Sequence, residues 1–556
     1  MPLDTTVSNW THDKTEARAS GGMVSSRHPE SAKAGRAILQ QGGNAVDAAV
    51  AASFAESVVQ PAASTIGGGG IFTFRGVDGD AHGINYMWQT PLSAKPDMFP
   101  IEGKPERGLF GWSGVKNAAN EIGALAVAVP GSVAGLVEAS KRFGRLPLKK
   151  VLEPAIALAA DGYEMDWYGS LMAGIHLDII KEYPVTARML LRDGQYPYRP
   201  NMIGRADRHK QPALAETLSA IADRGAEAFY TGKVAESIVA AVQEKGGIVS
   251  LEDLATYKPF VSKQRSVTYR GHKISGEYSG FVIYGQVFNT LSHFEVGAHA
   301  PDSPERLRIL IDVLRRCWAD KGKVYQDFDT DKGPWDVLLS SAYACQTAQE
   351  LADSRPKSTF KVSSAGESRT VHISAIDAEG GMASLTETVI GNYGSFICSE
   401  TGVLLNNGMI SFAPIPGEVT SIRPGRRSAS SFISPLHITR PDGKSIVTIG
   451  SSGGSKIVTS KLQIASLIMD HGMSPQQAVS FPRFDFEGDK LILDPRFPQA
   501  TIDRLKSLAY DIDLRLEELS TFEYGNPAVL ARDADGVITG GVNPFQATTA
   551  VGFNAA

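Results

Sequence analysis

Cysteine is scarce: the chain has three in 556 residues, Cys317, Cys345 and Cys398. So few thiols at such wide spacing make neither a disulfide framework nor a zinc-ligand pattern, and no metal or cofactor is expected. An excess of one charge is also missing. With 55 Lys and Arg against 60 Asp and Glu, the formal net charge is -5, which leaves no basic footprint for nucleic acid or an anionic membrane. Long apolar runs are absent too. The most apolar helical stretch, 45–59, is interrupted by Asp47 and Glu56, so nothing is expected to span a bilayer. The opening residues, MPLDTTVSNWTHDKTEARAS, show no basic stretch leading into an apolar one, the pattern of a secretory leader. A soluble, cytoplasmic protein acting on a small molecule is the expectation.

What is present is an ordinary globular composition, 42% hydrophobic and 21% charged. Length alone suggests roughly three to four domains, or one large layered fold. Helical periodicity covers 29–41, a second Ala-rich helix begins near Asn44, and further helical patterns cover 132–161 and 210–256. The run STIGGGGIFTFRG reads as a glycine turn entering a strand, with Gly67 to Gly70 allowing close backbone packing. The polar, Ser-rich stretch 353–368 is the best linker candidate. Beyond it the pattern turns to strands at 370–376, 382–390, 402–406, 432–438 and 445–450. Helices first and strands later, without an internal repeat, point to a layered α+β fold.

One hairpin stands out. In TVHISAI-DAEGG-MASLTETVI two alternating runs flank a polar turn centred on Glu379, which sets Thr370 opposite Thr388. The period of two places Thr370, His372 and Ser374 on one face with Ser384, Thr386 and Thr388. Val371, Ile373, Ala375, Leu385 and Val389 share the other. A polar face on an antiparallel pair usually meets solvent. Six small hydroxyl or imidazole side chains with no Lys or Glu are unusual for that role, and a polar cleft with Thr370 at its rim is the alternative. Downstream, SIVTIGSSGGSKIVTS reads as strand, glycine turn and helix. That arrangement either binds a phosphate or an oxyanion on free backbone amides, or is simply a tight turn. Lys456 follows Ser455 rather than Gly454, so the run is not a P-loop.

Many stretches, in order, resemble the γ-glutamyltransferase family of N-terminal nucleophile hydrolases along almost the whole chain. They include GGMVSSRHPESAKAGRAILQQGGNAVDAAVAA, STIGGGGIF, AVPGSVAGL, LEPAIALAADGYEMD, RTVHISAIDAEGGMASLTETVIGNYGS, TGVLLNNGM, RPGRRSASSFISP and IGSSGGSKIVTS. The resemblance implies a four-layer αββα sandwich and a precursor that cuts itself at Arg369–Thr370. A large subunit of residues 1–369 and a small one of 370–556 would together form one fold, with a dimer of such heterodimers also open. It implies Thr370 as nucleophile, with its new α-amine as base. A threonine hydroxyl needs an adjacent base, and an α-amine with reference pKa near 7.7–8.0 supplies one on the same residue. It further implies Thr388 as the hydroxyl that orients the nucleophile, and Gly453 and Gly454 as the oxyanion-binding amides.

The substrate-reading positions depart from that family. Where it has an Arg in R-E-x-A-P, this chain has MWQTP, with Met87 at the Arg position. Ile390 stands for the Asn two residues after the orienting Thr. In LLNNGMIS, Gly408 replaces a Gln and Ser411 the second Asp of LLNNQMDD. Only the paired serines Ser430 and Ser431 remain. Removing one partner from a buried ion pair costs about 3–5 kcal/mol, so loss of both the Arg and the Asp argues against a γ-glutamyl head. The expectation is therefore an amidohydrolase for another acyl group, with Arg426 or Arg427 either holding a carboxylate or sitting at the surface. Two alternatives stay open: a γ-glutamyl hydrolase or transpeptidase for glutathione-like substrates that reads them by other residues, and a non-catalytic binding protein. His372, Asn44, Asp47, Tyr278, Phe281 and Tyr284 are read as structural.

Overall fold

A computed structural model of the chain describes residues 12–102, 112–201, 204–324, 335–353, 369–418, 420–428, 433–519 and 521–555. Its alternating segments pair into two seven-stranded antiparallel sheets. One runs, edge to edge, through Thr549–Phe553, Gly22–Ser26, Arg369–Asp377, Met382–Ile390, Gly69–Arg75, Ala81–Asn85 and Phe260–Lys263. The other runs through Ala17–Ala19, Ile538–Val542, Asn526–Arg532, Ile446–Ser452, Leu436–Thr439, His272–Gly276 and Arg265–Tyr269. Both sheets draw strands from either side of Arg369–Thr370, so the segments 1–369 and 370–556 fold as one interleaved unit.

Helices cover the outer face of each sheet, giving four layers. The Ala-rich helix Ala45–Val59 starts on a capping box in which Asn44 accepts from Val46 and Asp47 N–H and Asp47 reaches back to the Asn44 N–H. Every residue of that helix is buried. Its small side chains let it lie close against Ile373, Ala375 and Leu385, the apolar face of the hairpin. On the far side, helices Val282–Leu291, Pro304–Val324 and Lys456–His471 build a second core over Leu436, Ile438, Val447 and Ile449. Phe281 and Tyr284 lie in this core, while Tyr278 packs against a separate small cluster of Val282, Trp335 and Leu338, under the Arg265 guanidinium. Among the described residues, no helix is long and apolar enough to cross a membrane.

The hairpin register pairs Thr370 with Thr388, His372 with Thr386 and Ser374 with Ser384, as the turn position predicts. Its polar face does not meet solvent. It lies buried between the two sheets, and at the turn end the same face becomes apolar, with Ile376 and Met382 packed on Met23, Ile446 and Leu530. The seam is closed because the facing sheet supplies its other wall, which one strand pair cannot reveal. The pattern at 132–161 forms two helices, Ser132–Phe143 and Leu148–Asp161. The break arises where Asp47 accepts the Arg145 and Leu146 N–H groups. The strand expected at 402–406 is reduced to single bridges, Cys398 with Leu404 and Gly67 with Leu405. There the Asn406 amide holds the Gly67 and Ala128 carbonyls in place of a ladder. The strand expected from 432 begins at Leu436. Of the linker candidate, 354–368 lies outside the described residues.

Candidate active site

Thr370 sits one residue into its strand and is 2% exposed in the uncut chain. The register slips between Arg369 and Thr370: Arg369 faces Ile390 and Thr370 faces Thr388, leaving Val389 as the extra residue of a bulge. The bulge carries Thr388 Oγ1 to the carbonyl oxygen of Arg369, to which it donates at 2.5 Å while accepting the Ile390 N–H at 2.8 Å. Ile390 holds φ +75. Few β-branched residues adopt this conformation, and it persists only where the surroundings enforce it.

Arg369 is held at its guanidinium group. Its Nε donates to Asn392 Oδ1 at 3.1 Å, and its guanidinium lies 5.6 Å from the Phe522 ring centre. Phe522 also connects this strand to the glycine turn. A Cβ at Gly453 would fall 2.5 Å from the Phe522 ring, so glycine alone fits there. Gly453 and Gly454 both have positive φ, +120 and +61, between the strand end at Ser452 and the helix that begins at Lys456. That geometry turns backbone amides outward ahead of a helix N-terminus. Lys456 Nζ donates to the Phe522 carbonyl at 2.5 Å and fixes the ring's loop.

Arg27 is a site residue that sequence reasoning missed. It follows the strand Gly22–Ser26, is 3% exposed, and donates to the Thr370 carbonyl oxygen at 3.2 Å and to Tyr168 Oη at 2.7 Å. Its guanidinium lies 4.8 Å from the Tyr168 ring centre and 5.9 Å from that of Phe522. The available signal was an arginine directly after a strand of buried residues, in SSRHPE. Tyr168, Phe522 and Asn392 carried no motif of their own.

The substrate-reading candidates separate into two groups. Met87 and Ile390 belong to one buried apolar cluster with Trp88, Met409, Ile410 and Ile457. Ser411 accepts the Trp88 indole N–H at 3.0 Å and donates to the Gly408 carbonyl at 2.7 Å, while Trp88 packs directly over Gly408. This serine is therefore engaged with the protein, and the compartment around it is apolar. Ser430 and Ser431 lie outside the described residues. Arg427 donates to the carbonyl of Met87 and to Tyr257 Oη, both at 2.8 Å, and to the carbonyl of Lys258; Arg426 donates to Ser421 O at 2.8 Å. Both guanidinium groups thus clasp backbone, instead of standing as surface charges.

Polar groups under the hairpin are structural. His372 Nδ1 lies 3.0 Å from Thr386 Oγ1 and its Nε2 2.8 Å from Ser374 Oγ. Burial, with Lys461 and His437 nearby, pushes its pKa down to about 3, so the ring stays neutral. On the helix side, Glu387 accepts from Ser53 Oγ, and Glu56, one turn further along that helix, accepts from Ser26 Oγ at 2.6 Å. Burial pushes both carboxyls up to about 7.

Facing antiparallel sheets between helix layers, with a pair of threonines opposite each other on a central hairpin, are the architecture of the N-terminal nucleophile hydrolases. The chain belongs to the gamma-glutamyltranspeptidase family, whose family model, Gamma-glutamyltranspeptidase, matches residues 31–553. It is accordingly a hydrolase or transferase enzyme, and a purely non-catalytic role is set aside. It is similar to the Acylase ACY 1 proenzyme of Pseudomonas sp. (strain V22), at 34% identity over 96% of this chain and 94% of that one. It is also similar to the Glutathione hydrolase proenzyme of Escherichia coli (strain K12), at 30% identity over 90% and 87%. In fold it matches the crystal structure of cephalosporin acylase from Bacillus halodurans, with a TM-score of 0.83 at 24% identity over the full length of both chains.

Proposed function

We propose that the chain is a precursor that cuts its own Arg369–Thr370 bond and then works as an amidohydrolase through an acyl-enzyme on Thr370. The observation that carries this reading is the Thr388 hydroxyl hydrogen-bonded to the Arg369 carbonyl oxygen. It would stabilise the negative charge that develops there when Thr370 Oγ attacks the carbonyl carbon. The peptide C–N bond breaks as the ester C–O bond forms, and water then releases the Arg369 carboxylate and leaves Thr370 with a free α-amine. In each later turnover that amine takes the Oγ proton, the substrate's acyl carbon bonds to Oγ, and the departing amine carries the proton away. Water finally breaks the ester to give the free acid. The relatives' designation as proenzymes supports processing into a large and a small subunit.

The acyl part we assign lacks a γ-glutamyl head. Met87 and Ile390 line an apolar cluster, and Ser411 is engaged by Trp88, which leaves no anchor at those positions for an ammonium and carboxylate together. The similarity to a relative named as an acylase fits this assignment. The second reading, γ-glutamyl hydrolysis or transfer, is favoured by the relative named as a glutathione hydrolase.

A denaturing gel with mass spectrometry tests the first step. The wild-type chain should yield fragments 1–369 and 370–556, and Thr370→Ala should remain whole. A wild type that stays whole overturns the reading. For the substrate, γ-glutamyl anilide and simple acyl anilides are compared on the processed enzyme, and strong saturable γ-glutamyl turnover selects the second reading.

A further inference from the structure

Arg27 reaches Thr370 from the strand next to it in the sheet. Its Nη1 donates to the Thr370 carbonyl oxygen at 3.2 Å and its Nη2 to Tyr168 Oη at 2.7 Å. The Tyr168 and Phe522 rings flank the guanidinium, with centres 4.8 and 5.9 Å away. Glu56, on the helix Ala45–Val59, interacts electrostatically with this charge and helps to keep it in a residue only 3% exposed. Thr370 lies in extended strand backbone. There a residue's nitrogen lies about 3 Å from its own carbonyl oxygen, so Arg27 Nη1 stands within about 6 Å of the Thr370 nitrogen. In the uncut chain that nitrogen is a peptide amide and carries no charge. Once Arg369–Thr370 is cut it is an α-amine, and the same cation bears on its protonation.

We infer that Arg27 is a positioning residue of this enzyme: it orients the Thr370 carbonyl and keeps the new α-amine uncharged near neutral pH, as a base must be. This rests on the reading of Thr370 as nucleophile and of its amine as base. A cation within about 4–6 Å disfavours protonation of an amine by about one pH unit or more. From a reference value near 8.0, one unit raises the free-base fraction at pH 7 from about one-tenth to about one-half. An ammonium could not accept the Oγ proton. The other charges around the strand end do not replace this role. Lys456 adds positive charge at one remove, through the Phe522 carbonyl, and Glu523 beside that ring pairs with Arg515. Arg369 brings a guanidinium on the residue that cleavage turns into a carboxylate. Glu56 partly offsets Arg27, while Glu387 on the opposing strand turns to Ser53 in the helix layer. Asp166 caps the Gly169 N–H and lies 3.8 Å from His28. His372, on the nucleophile's own strand, is held neutral by burial. Arg27 is hydrogen-bonded to Thr370 itself.

The test follows kcat/KM of the processed enzyme for a simple acyl anilide between about pH 5 and pH 9, where the acid limb reports the essential base of the free enzyme. In wild type its midpoint should lie below the reference range of about 7.7–8.0. Arg27→Met should raise the midpoint by about one unit. Arg27→Lys keeps the charge without the fork and should move it by about half as much or less. A limb that stays in place in Arg27→Met, or moves as far in Arg27→Lys, overturns the inference, because lost packing lowers the rate at every pH without moving the limb. Glu56→Gln removes the opposing charge and should leave the limb at the wild-type midpoint or lower. Its disappearance would assign the limb to that carboxyl, and an upward move would give Arg27 the wrong sign; either overturns the inference. If Arg27→Met fails to fold or mature, the amine is titrated in unmodified processed enzyme, from the pH dependence of its acetylation read by mass spectrometry at the Thr370 end of the small subunit. A midpoint about one unit below the reference is expected, and one at about 7.7 or above overturns the inference. Failure of the nucleophile assignment looks different, because the chain then stays whole and exposes no α-amine at Thr370.

Discussion

The side chain of Thr388 bonds to the carbonyl of the residue before its cross-strand partner, not to that partner itself: Thr388 Oγ1 lies 2.5 Å from Arg369 O, while in register it faces Thr370. The bulge at Val389 creates this offset. In the uncut chain the hydroxyl is thus placed on the bond expected to break. Removing one such donor typically costs about 100- to 1000-fold in rate. Thr388→Ala should slow conversion of the full-length chain by that order, and Thr388→Ser should convert at close to the wild-type rate. Timed samples on a denaturing gel measure both, and a Thr388→Ala chain that matures at the wild-type rate removes this role.

The hairpin register, the facing threonines, the strand–turn–helix at Gly453 and the helix start at Asn44 were legible because each depends on local periodicity or turn chemistry. The burial of the hairpin's polar face was not, since Gly450 and its strand approach it from a segment about 75 residues away in sequence. Arg27 was hidden for the same reason. A single arginine after a strand gains meaning only when Thr370, Tyr168 and Phe522, from three separate segments, converge on it. Met87 and Ile390 stand out in the sequence as replacements at the substrate-reading positions, but only the packing shows that they share one apolar cluster and that Ser411 belongs to Trp88.

At Gly450 the second sheet comes directly against the His372 ring of the first. A Cβ there would fall 1.8 Å from Cε1 of His372, and that ring is fixed by Thr386 and Ser374 on either side. The neighbour cannot yield without breaking both bonds. Gly450→Ala should therefore cost about 3 kcal/mol or more, beyond the usual range for an overpacked core. The readout is a denaturant midpoint measured in the uncut Thr370→Ala background, where maturation cannot contribute. A midpoint within error of the parent contradicts the packing described here.

Met87 offers a test of the dry compartment. Its side chain is fully buried among apolar neighbours, and its carbonyl is already taken by Tyr257 and Arg427. Met87→Arg restores the arginine of the related transpeptidases in sequence, yet provides no carboxylate partner in the fold. An uncompensated buried charge should destabilise the chain by about 3–5 kcal/mol and should not confer γ-glutamyl turnover. Anilide release and a chemical melt of the same preparation measure the two outcomes, and a stable variant with new γ-glutamyl activity would show that the compartment is open to water.

The buried carboxyls predict how stability depends on pH. Burial raises Glu387 and Glu56 from an ordinary 4.5 to about 7 in the folded chain. Between pH 4.5 and 7 the folded state therefore binds more protons than the unfolded one, so stability present below pH 4.5 is lost as pH rises through 7. The shift corresponds to about 3 kcal/mol per group at most. His372 and His437 act in the opposite direction. Burial depresses both to about 3 from 6.5, so their contribution is present above pH 6.5 and is lost as pH falls toward 3. Between 4.5 and 6.5 the two effects offset each other, and above 6.5 only the carboxyl loss remains. Glu387→Gln keeps the shape, and its amide does not titrate in this range. In the uncut Thr370→Ala background it should gain stability relative to its parent by up to about 3 kcal/mol on going from pH 5 to pH 8. Denaturant midpoints at the two pH values measure that difference, and a stability gap that does not change with pH would mean that Glu387 is ionised in the folded chain throughout.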